Sequence, residues 1–277
     1  MPVIAMTQEM GSLAKDVAIQ LAETAGLAVM RHEVLDHVAG RMHVPGSLIS
    51  RLREGKAGLV ERLTTDEQRL AIYTAQEVFA IASKGDVVLR GWGATCLLRP
   101  VRHVVRVRVT RSLSKRVEWL MGHLETDDAA FAEAEVRRSD DAHSLRMHEQ
   151  FGVTWGDPVL YDLTLNTDRL SVESCVAQIL QLTGRPEFQE TGASRAMLKD
   201  LALNARIRAA FKDYESTRGV NIQIESQGGK VVLSGIVLNT HESTEAARIA
   251  ATLPGVDSVD NQLRLMTTSR RFTSAKY

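Results

Sequence analysis

The sequence has little of what marks several specialised classes of protein. Only two cysteines occur in 277 residues, Cys96 and Cys175, and their wide separation argues against a metal-binding pair or a disulfide framework. No uninterrupted apolar run approaches the roughly 18 residues that a membrane span needs. The N-terminus lacks a basic stretch followed by a long apolar run, so we expect no signal peptide and a cytoplasmic location.

The charge balance gives no general attraction to polyanions, because 34 basic and 34 acidic residues leave a formal net charge of zero. Arginines nevertheless cluster between 99 and 116, where "RVRVT" alternates arginine with valine. A strand buried on both faces rarely alternates in this way, so one face is predicted to be solvated or covered by acidic residues such as the run 125–135. There is no aromatic interleaving, so we do not expect nucleic-acid binding. The histidines form no cluster with metal-ligand spacing, so no metal site is predicted.

One polar segment divides the chain, whose length accommodates two domains. "GRPEFQETGASRA" contains two glycines and a proline and shows no sustained apolar period. We therefore predict a first domain at 1–183, a linker at 184–195, a second domain at 196–268 and a tail at 269–277.

Strands and helices alternate in the first domain. The strands are predicted at 3–6, 86–90, 103–110 and 161–167. A helix is predicted at 12–25, and Asp66 is predicted to cap a later one. Parallel strands need crossover helices, so this order predicts an α/β domain with a parallel sheet and flanking helices.

The second domain has the predicted order helix, strand, strand, helix, strand. Alternating apolar residues in "VNIQIES" indicate a strand, and "VVLSGIVL" returns as its hairpin partner after a glycine turn. Thr240 is predicted to cap the following helix, and "GVDSVDNQLRL" is predicted to end the domain as a strand. This pattern predicts a small α+β unit.

Four stretches of the first domain carry a resemblance to a known family. They are "EMGS" before the first helix, "RGWGATCLLRP", "RRSDDAHSLR" and "WGDPVLYDLTLNT". Together they resemble the cytidylate-kinase-like family, a branch of the nucleoside monophosphate kinases with a P-loop fold, over nearly the whole domain. The resemblance implies a nucleotide or another phosphate-bearing small molecule as the ligand. It also implies ATP and Mg²⁺ as the cofactors of an active enzyme.

The second domain resembles a BON domain through "GGKVVLSGIV" and "LPGVDSVDNQLRL". BON domains are small modules of bacterial proteins that are thought to bind lipids or other small ligands, or to mediate protein contacts. The resemblance therefore implies a protein or small-ligand contact through this domain.

The predicted phosphate loop departs from the family pattern. The family resembles Gly-Ser-Gly-Gly-Arg where this chain has Gly11, Ser12, Leu13, Ala14 and Lys15. By resemblance, Gly11, Ser12 and Lys15 bind the nucleotide, and Lys15 is also a catalytic candidate. A side chain at Leu13 resists positive φ and crowds a phosphate, so tight cradling of a triphosphate is not expected. The alternative for Lys15 is a solvated side chain in the first helical turn.

Three further positions depart from the family pattern. Trp92 replaces the arginine of a Gly-Arg-Gly turn, and it either packs the strand end or stacks on a base. Residues 31–33, Arg-His-Glu, replace a Tyr-Asp-Arg motif, and Gln8 replaces another arginine. These changes remove positive charge from a site that works by electrostatics.

The predicted lid keeps its arginines. By resemblance, Arg137 contributes to nucleotide binding, while Arg138 and Arg146 stabilise charge on the transferring phosphoryl group. The alternative is an exposed helix with ion pairs three and four residues apart. Asp157 and Asp162 are predicted to fix the loop before the last strand of the domain.

Two hypotheses follow. In the first, four altered pocket positions leave a degenerate, weakly active or inactive pseudokinase that serves as a binding or regulatory module. In the alternative, the chain is an active CMP-type nucleoside monophosphate kinase that transfers the γ-phosphoryl group of ATP. Fold alone does not decide between them.

Overall fold

The computed structural model describes residues 2–30 and 32–266, with only the backbone of His32. Arg31 and the predicted tail at 269–277 lie outside the described residues. The chain divides after Leu198 into two compact units.

The first unit is built on a five-stranded, all-parallel sheet, which confirms the predicted α/β class. The strand order is β2-β3-β1-β4-β5. The strands are β1 Val3–Gln8, β2 Ala28–Met30, β3 Val87–Arg90, β4 Val104–Thr110 and β5 Leu163–Asn166. Strand β1 lies in the centre, and this position places the loop that follows it beside the ends of β3 and β4.

Helices connect the parallel strands, as crossover connections require. They are α1 Ala14–Ala25, α2 His32–Met42, α3 Gly46–Arg53, α4 Leu59–Thr64, α5 Glu67–Ala82, α6 Ala94–Leu97, α7 Leu113–Leu124, α8 Ala129–Phe151 and α9 Val172–Thr183. Asp66 caps α5 by accepting a hydrogen bond from the backbone N–H of Arg69, as the sequence predicted. Helix α1 begins two residues later than predicted.

One core cluster of the first unit lies on the face of the sheet that α1 and α9 cover. Ile4 and Met6 of β1 are fully buried against Val17 and Leu21 of α1 and Ile179 of α9. Removing each such side chain from water contributes about 1.5–3 kcal/mol. This packing fixes the carboxyl end of β1, where the phosphate loop starts.

The predicted linker contains local structure. A 3-10 turn covers Pro186–Phe188, and helix α10 Gly192–Asp213 begins inside the segment. Thr191 and Ser194 form reciprocal hydrogen bonds at this helix start. The exact domain boundaries remain a prediction.

The second unit contains the predicted hairpin and strand. Strands β6 Gln223–Gln227 and β7 Lys230–Val237 are antiparallel, and β8 Ser258–Leu265 is parallel to β7. Helix α11 Thr240–Ala251 lies between β7 and β8 in sequence. Its cap is Asn239 and not Thr240 as predicted, because the Asn239 side chain accepts from the backbone N–H of Glu242.

The core of the second unit joins α10, α11 and the sheet. Ile207 and Phe211 of α10 pack with Leu233 of β7 and Ile249 of α11. Gly235 is required where a Cβ would lie 3.3 Å from Ile222, with φ at +133°. No helix within residues 2–30 and 32–266 is long and apolar enough to cross a membrane.

Candidate anion site of the first unit

The phosphate loop keeps a left-handed backbone despite its lost glycines. Gly11 has φ +76°, and Leu13 has φ +59° and ψ +13°. This conformation costs a residue with a Cβ about 1–2 kcal/mol, so the fold holds Leu13 in a strained state. Ser12 is buried, and its hydroxyl has no hydrogen-bond partner among the described residues. A buried hydroxyl without a hydrogen-bond partner at the start of α1 is suited to donate a hydrogen bond to a bound anion.

Lys15 lies in the first turn of α1 with an exposed side chain. This placement matches the solvated alternative, and its predicted contact with phosphate remains a prediction. Gln8 lies at the end of β1, where its side-chain oxygen accepts hydrogen bonds from Nε and Nη2 of Arg90 at 3.2 and 2.9 Å. Gln8 therefore orients a neighbouring arginine in place of supplying a charge itself.

Glu9, which follows β1, accepts hydrogen bonds from several donors near the carboxyl end of β4. Its carboxylate accepts from Arg108 Nη2 at 2.6 Å, from the Thr110 hydroxyl at 2.6 Å and from the backbone N–H of Arg111 at 3.1 Å. Arg116 Nε lies 3.6 Å from the same carboxylate. An internal anion thus occupies the centre of this arginine cluster.

Two other carboxylates of the first unit also bind arginines of this region. Asp140 binds Arg116 with two hydrogen bonds of 3.0 and 2.8 Å, and burial raises the pKa of Asp140 against the pull of that arginine. Asp162 binds Arg106 through Nε and Nη2, which confirms its predicted role in fixing the loop.

The alternating arginines of β4 are therefore covered by acidic residues, which was one of the two predicted alternatives, the other being a solvated face. The expected contact of Arg106 and Arg108 with the acidic run 125–135 was wrong, because Asp162 and Glu9 hold them. Asp157 caps the 3-10 turn Pro158–Leu160, as expected for a residue that fixes this loop.

A large cavity lies between α8 on one side and α3 to α5 on the other. Its volume is about 1040 Å³. Its basic lining residues are Arg53, Arg62, Arg137, Arg138 and Arg146. Its acidic lining residues are Glu67, Asp141 and Glu149. The excess of positive side chains favours an anionic ligand of roughly nucleotide size.

The three predicted lid arginines line this cavity together. Arg137 pairs with Glu133 four residues before it, Arg138 pairs with Glu135, and Arg146 donates to the backbone carbonyl of Arg53. The ion pairs of the alternative interpretation are thus present alongside a shared cavity. The described lining does not include Gly11, Ser12 or Lys15, so the predicted site residues fall into two groups.

The Gly-Trp-Gly turn at the end of β3 forms one wall of the cavity. Gly91, Trp92 and Gly93 have φ of +76°, +60° and +67°. Trp92 is only 5% exposed, which agrees with its interpretation as a packing residue. The guanidinium of Arg53 lies 3.6 Å from the centre of the indole ring, so one ring face already carries a cation.

His143 is a neutral group among these cations. It stacks on Trp155 with ring centres 4.1 Å apart. Burial, together with the positive charges of Arg146, Arg53 and Arg108, lowers the pKa of His143 to about 3. The pKa of such a histidine should change when a charged ligand binds in the cavity.

The low pKa of His143 predicts a loss of stability in acid. Between pH 6.5 and pH 3 the unfolded chain binds a proton at this residue and the folded chain does not, so stability falls as pH falls. The slope is up to about 1.4 kcal/mol per pH unit. Urea unfolding at several pH values should show wild type and His143→Gln converging as pH falls from 7 to 4. A constant difference would contradict the low pKa.

Sequence reasoning missed Arg53, Glu9 and His143. Glu9 lies in "EMGS" and His143 lies in "RRSDDAHSLR", but neither residue was assigned a role there, and the partners are distant in sequence: Arg53 contacts Trp92, and Glu9 binds Arg108. The sequence offered one indirect signal for Arg53, the Gly-Trp-Gly turn. The structure shows that Trp92 has a positive φ there, and a bulky residue in that conformation needs neighbouring residues that hold it in place. Within the described residues, no group of three or more potential ligands for a metal ion occurs.

Comparison with known proteins identifies both parts of the chain. Residues 3–169 match the Cytidylate kinase-like family, and residues 199–267 match the BON domain. Osmotically-inducible protein Y of Escherichia coli (strain K12) is 29% identical over 68 residues, which are 24% of this chain and 34% of that protein. The chain thus spans about a third of the length of this curated relative.

The first unit is similar to several solved structures, and one from Eubacterium ventriosum supports its fold. An uncharacterized protein from Eubacterium ventriosum is 19% identical, with a TM-score of 0.53 over 67% of this chain and 100% of that one. A gluconokinase from Sinorhizobium meliloti is 17% identical, with a TM-score of 0.44 over 69% of this chain and 98% of that one.

Proposed function

This chain belongs to the cytidylate kinase-like family, and from that premise we propose that its first domain binds a phosphate-bearing small molecule without efficient phosphoryl transfer. The domain has a kinase-like, nucleotide-binding fold. We propose that it works as a binding or regulatory module, and that the BON domain supplies a contact with a protein or a small ligand.

The observation that carries this proposal is the neutralisation of the arginines around the phosphate loop. Arg108 and Arg116 converge on Glu9, and Asp140 also binds Arg116. Phosphoryl transfer depends on cations that face the transferring group, because positioning and electrostatics supply most of the catalysis. Arginines that already bind internal carboxylates stabilise the negative charge of a transition state less.

Binding itself is supported by two features. The left-handed loop and the unsatisfied Ser12 hydroxyl suit an anion at the start of α1. The cavity suits a second anionic group chiefly through Arg146, which donates to a backbone carbonyl, whereas Arg137 and Arg138 pair with Glu133 and Glu135. Loss of each transition-state contact typically costs about 3 kcal/mol, so a domain of this kind can retain binding while it loses turnover.

The residues of the loop suit the phosphates of ATP better than they suit Mg²⁺. We propose that the loop holds a phosphate, whereas the carboxylates beside it, Glu9 and Asp168, accept hydrogen bonds from protein groups. Gly11, Ser12 and Lys15 would hold the phosphates of a nucleotide, and Mg²⁺ would supply charge neutralisation if it bound with them. The alternative function, an active CMP-type kinase, is favoured by the arginines that α8 retains.

Calorimetric titration tests this proposal. We expect CMP, and ATP with Mg²⁺, to release heat on binding to the full chain, with weaker binding to Lys15→Ala for ATP only. The Lys15 side chain is exposed, so this variant should fold as wild type does. Absence of heat with every phosphate-bearing probe would contradict the proposed binding function.

A further inference from the structure

Strand β8 forms an open edge of the sheet in the second unit. Among the residues that the structure describes, the order β6-β7-β8 gives β8 a neighbouring strand on one side only. Its residues, Ser258–Leu265, are mostly exposed and include neither proline nor lysine, which proteins commonly place in edge strands to prevent pairing with another chain. A long, regular edge of this kind can pair with a further strand.

The hydrogen bonds between β7 and β8 define which backbone groups face the open edge. The N–H of Met266 donates to the carbonyl of Val237 at 2.8 Å. In a parallel ladder alternate residues bond to a given neighbour, so the even-numbered residues of β8 face β7 and the odd-numbered residues face the open edge. The outward N–H of Leu263 donates to the Asn261 side-chain oxygen at 3.2 Å, a place that the carbonyl of a further strand can take.

Two opposite charges lie on this strand, four residues apart and on the same face. Asp260 and Arg264 are exposed, and their register partners on β7 are the uncharged Val232 and Ile236. Asp260 accepts a hydrogen bond from Gln262 at 2.7 Å, but neither charge pairs with an opposite one within the described part of the chain. Charged side chains on an open edge oppose pairing unless the incoming strand places the opposite charge beside each of them.

A two-fold pairing of two copies of β8 meets this condition. In an antiparallel pair centred on Gln262, Asp260 of each copy lies opposite Arg264 of the partner subunit, so two ion pairs form. Because the even-numbered residues face β7, these pairs are of the non-hydrogen-bonded type, in which opposite side chains approach most closely. Moving the axis to Asn261 would place Asp260 opposite Gln262 instead, so the charges favour one register.

The same register satisfies the outward backbone groups and covers an exposed apolar side chain. Asn261 and Leu263 exchange backbone hydrogen bonds across the axis, and so do Val259 and Leu265. The Leu265 side chain is 46% exposed in the single chain, and in the pair it lies beside Val259 of the partner subunit. Backbone, charge and apolar contacts thus agree on one arrangement.

We propose that β8 pairs antiparallel with β8 of a second copy of this chain and joins two three-stranded sheets into one. The inference rests on the proposed function, in which the BON domain supplies a contact, and it names a second copy of the chain as the partner. One strand of this length buries a small area, so the dimer should dissociate at about 1–100 µM.

Sedimentation equilibrium of the full chain measures this association. Wild type should approach twice the 30.5 kDa of one chain as its concentration rises. Asp260→Arg and Arg264→Asp each place like charges opposite each other at two points of the symmetric pair, so each should raise the dissociation constant by about 10- to 100-fold.

Glu225→Arg is the matched control for Asp260→Arg. Glu225 is an exposed acid on β6 that accepts a hydrogen bond from Gln223 two residues away, as Asp260 does from Gln262. Because β6 is the opposite edge of the sheet, this variant should associate as wild type does. Should a charge reversal fail to fold, Asp260→Asn removes the charge alone and should weaken association by about 3- to 10-fold.

A mixture of the two charge reversals tests the register itself. D260R has two positive charges at these positions and R264D has two negative ones, so one copy of each variant forms two ion pairs. The mixture should associate about as tightly as wild type, although each variant alone does not. The double variant D260R/R264D should also associate as wild type does. Recovery in the mixture shows in addition that both variants are folded.

Each contrary result overturns the proposal. Wild type that stays monomeric up to about 500 µM would exclude the dimer, since even a weak pairing is populated there. Unchanged association of D260R and R264D, a mixture no tighter than its components, or an equal loss in E225R would exclude this register. A monomeric wild type leaves anion binding by the first unit intact, and calorimetry with CMP measures that binding separately.

Discussion

Replacing Glu9 with glutamine is expected to lower the free energy of unfolding of the first domain by about 3 kcal/mol, because removal of one partner leaves buried charges uncompensated. The side chains of Arg108 and Arg116 are 9% and 8% exposed, and both face the Glu9 carboxylate. Urea unfolding followed by tryptophan fluorescence measures this loss. All three tryptophans, Trp92, Trp119 and Trp155, belong to the first unit, so the signal reports on that unit.

Glu133→Gln is the matched control for Glu9→Gln. It makes the same chemical change in an ion pair with Arg137, whose two side chains are 46% and 59% exposed. An exposed pair contributes about 0–1 kcal/mol, so this variant should unfold nearly as wild type does. If both variants unfolded at the same urea concentration, Glu9 would not be the anion that holds the arginine cluster together.

Gly93→Ala is expected to lower the stability of the first domain by about 3 kcal/mol. The left-handed conformation at φ +67° costs alanine about 1 kcal/mol or more. The new Cβ would also lie 2.6 Å from the Phe151 ring, and overpacking of this kind costs about 1–3 kcal/mol. The same unfolding experiment measures the sum.

Gly152→Ala separates the two contributions to that sum. Gly152 has nearly the same conformation, with φ +65°, but no described atom lies within 4 Å of the Cβ that it would gain. Its substitution should therefore cost only the backbone term, about 1 kcal/mol. Equal losses in Gly93→Ala and Gly152→Ala would show that contact with Phe151 does not hold the Gly-Trp-Gly turn in place.

These two predictions concern how positive charge is distributed between the phosphate loop and the neighbouring cavity. Glu9 neutralises the arginines at the end of β4, and the Gly-Trp-Gly turn fixes Trp92 against Arg53 in the neighbouring cavity. In the proposed function, the arginines beside the phosphate loop bind internal carboxylates, whereas Arg146 in the cavity donates to a neutral backbone carbonyl. Such an arrangement favours binding of an anion over transfer of its phosphoryl group.

Much of the architecture could be predicted because it depends on local patterns. The apolar run 3–6 predicts a buried parallel strand, which the structure extends to Gln8, and Asp66 predicts a helix start through its capping hydrogen bond. The hairpin of β6 and β7 follows from alternation around a glycine turn. The cap of α11 was misplaced by one residue because Asn239 and Thr240 are both good capping residues.

The candidate site was less predictable because its contacts join distant residues. The sequence of β4 indicated an acidic cover, but only the fold brings Glu9 to Arg108, 99 positions away. Likewise, Leu13 was expected to resist a left-handed backbone, and yet it has φ +59°. Packing of the surrounding domain imposes that conformation, and local propensity does not reveal it.

The most direct test of this organisation is the rate of CDP formation from CMP and ATP with Mg²⁺ by the purified full chain. If neutralisation by Glu9 and Asp140 has removed the catalytic charge, wild type should form CDP no faster than Lys15→Ala. Saturable CDP formation by wild type, well above the rate of that variant, would show instead that the domain is an active kinase.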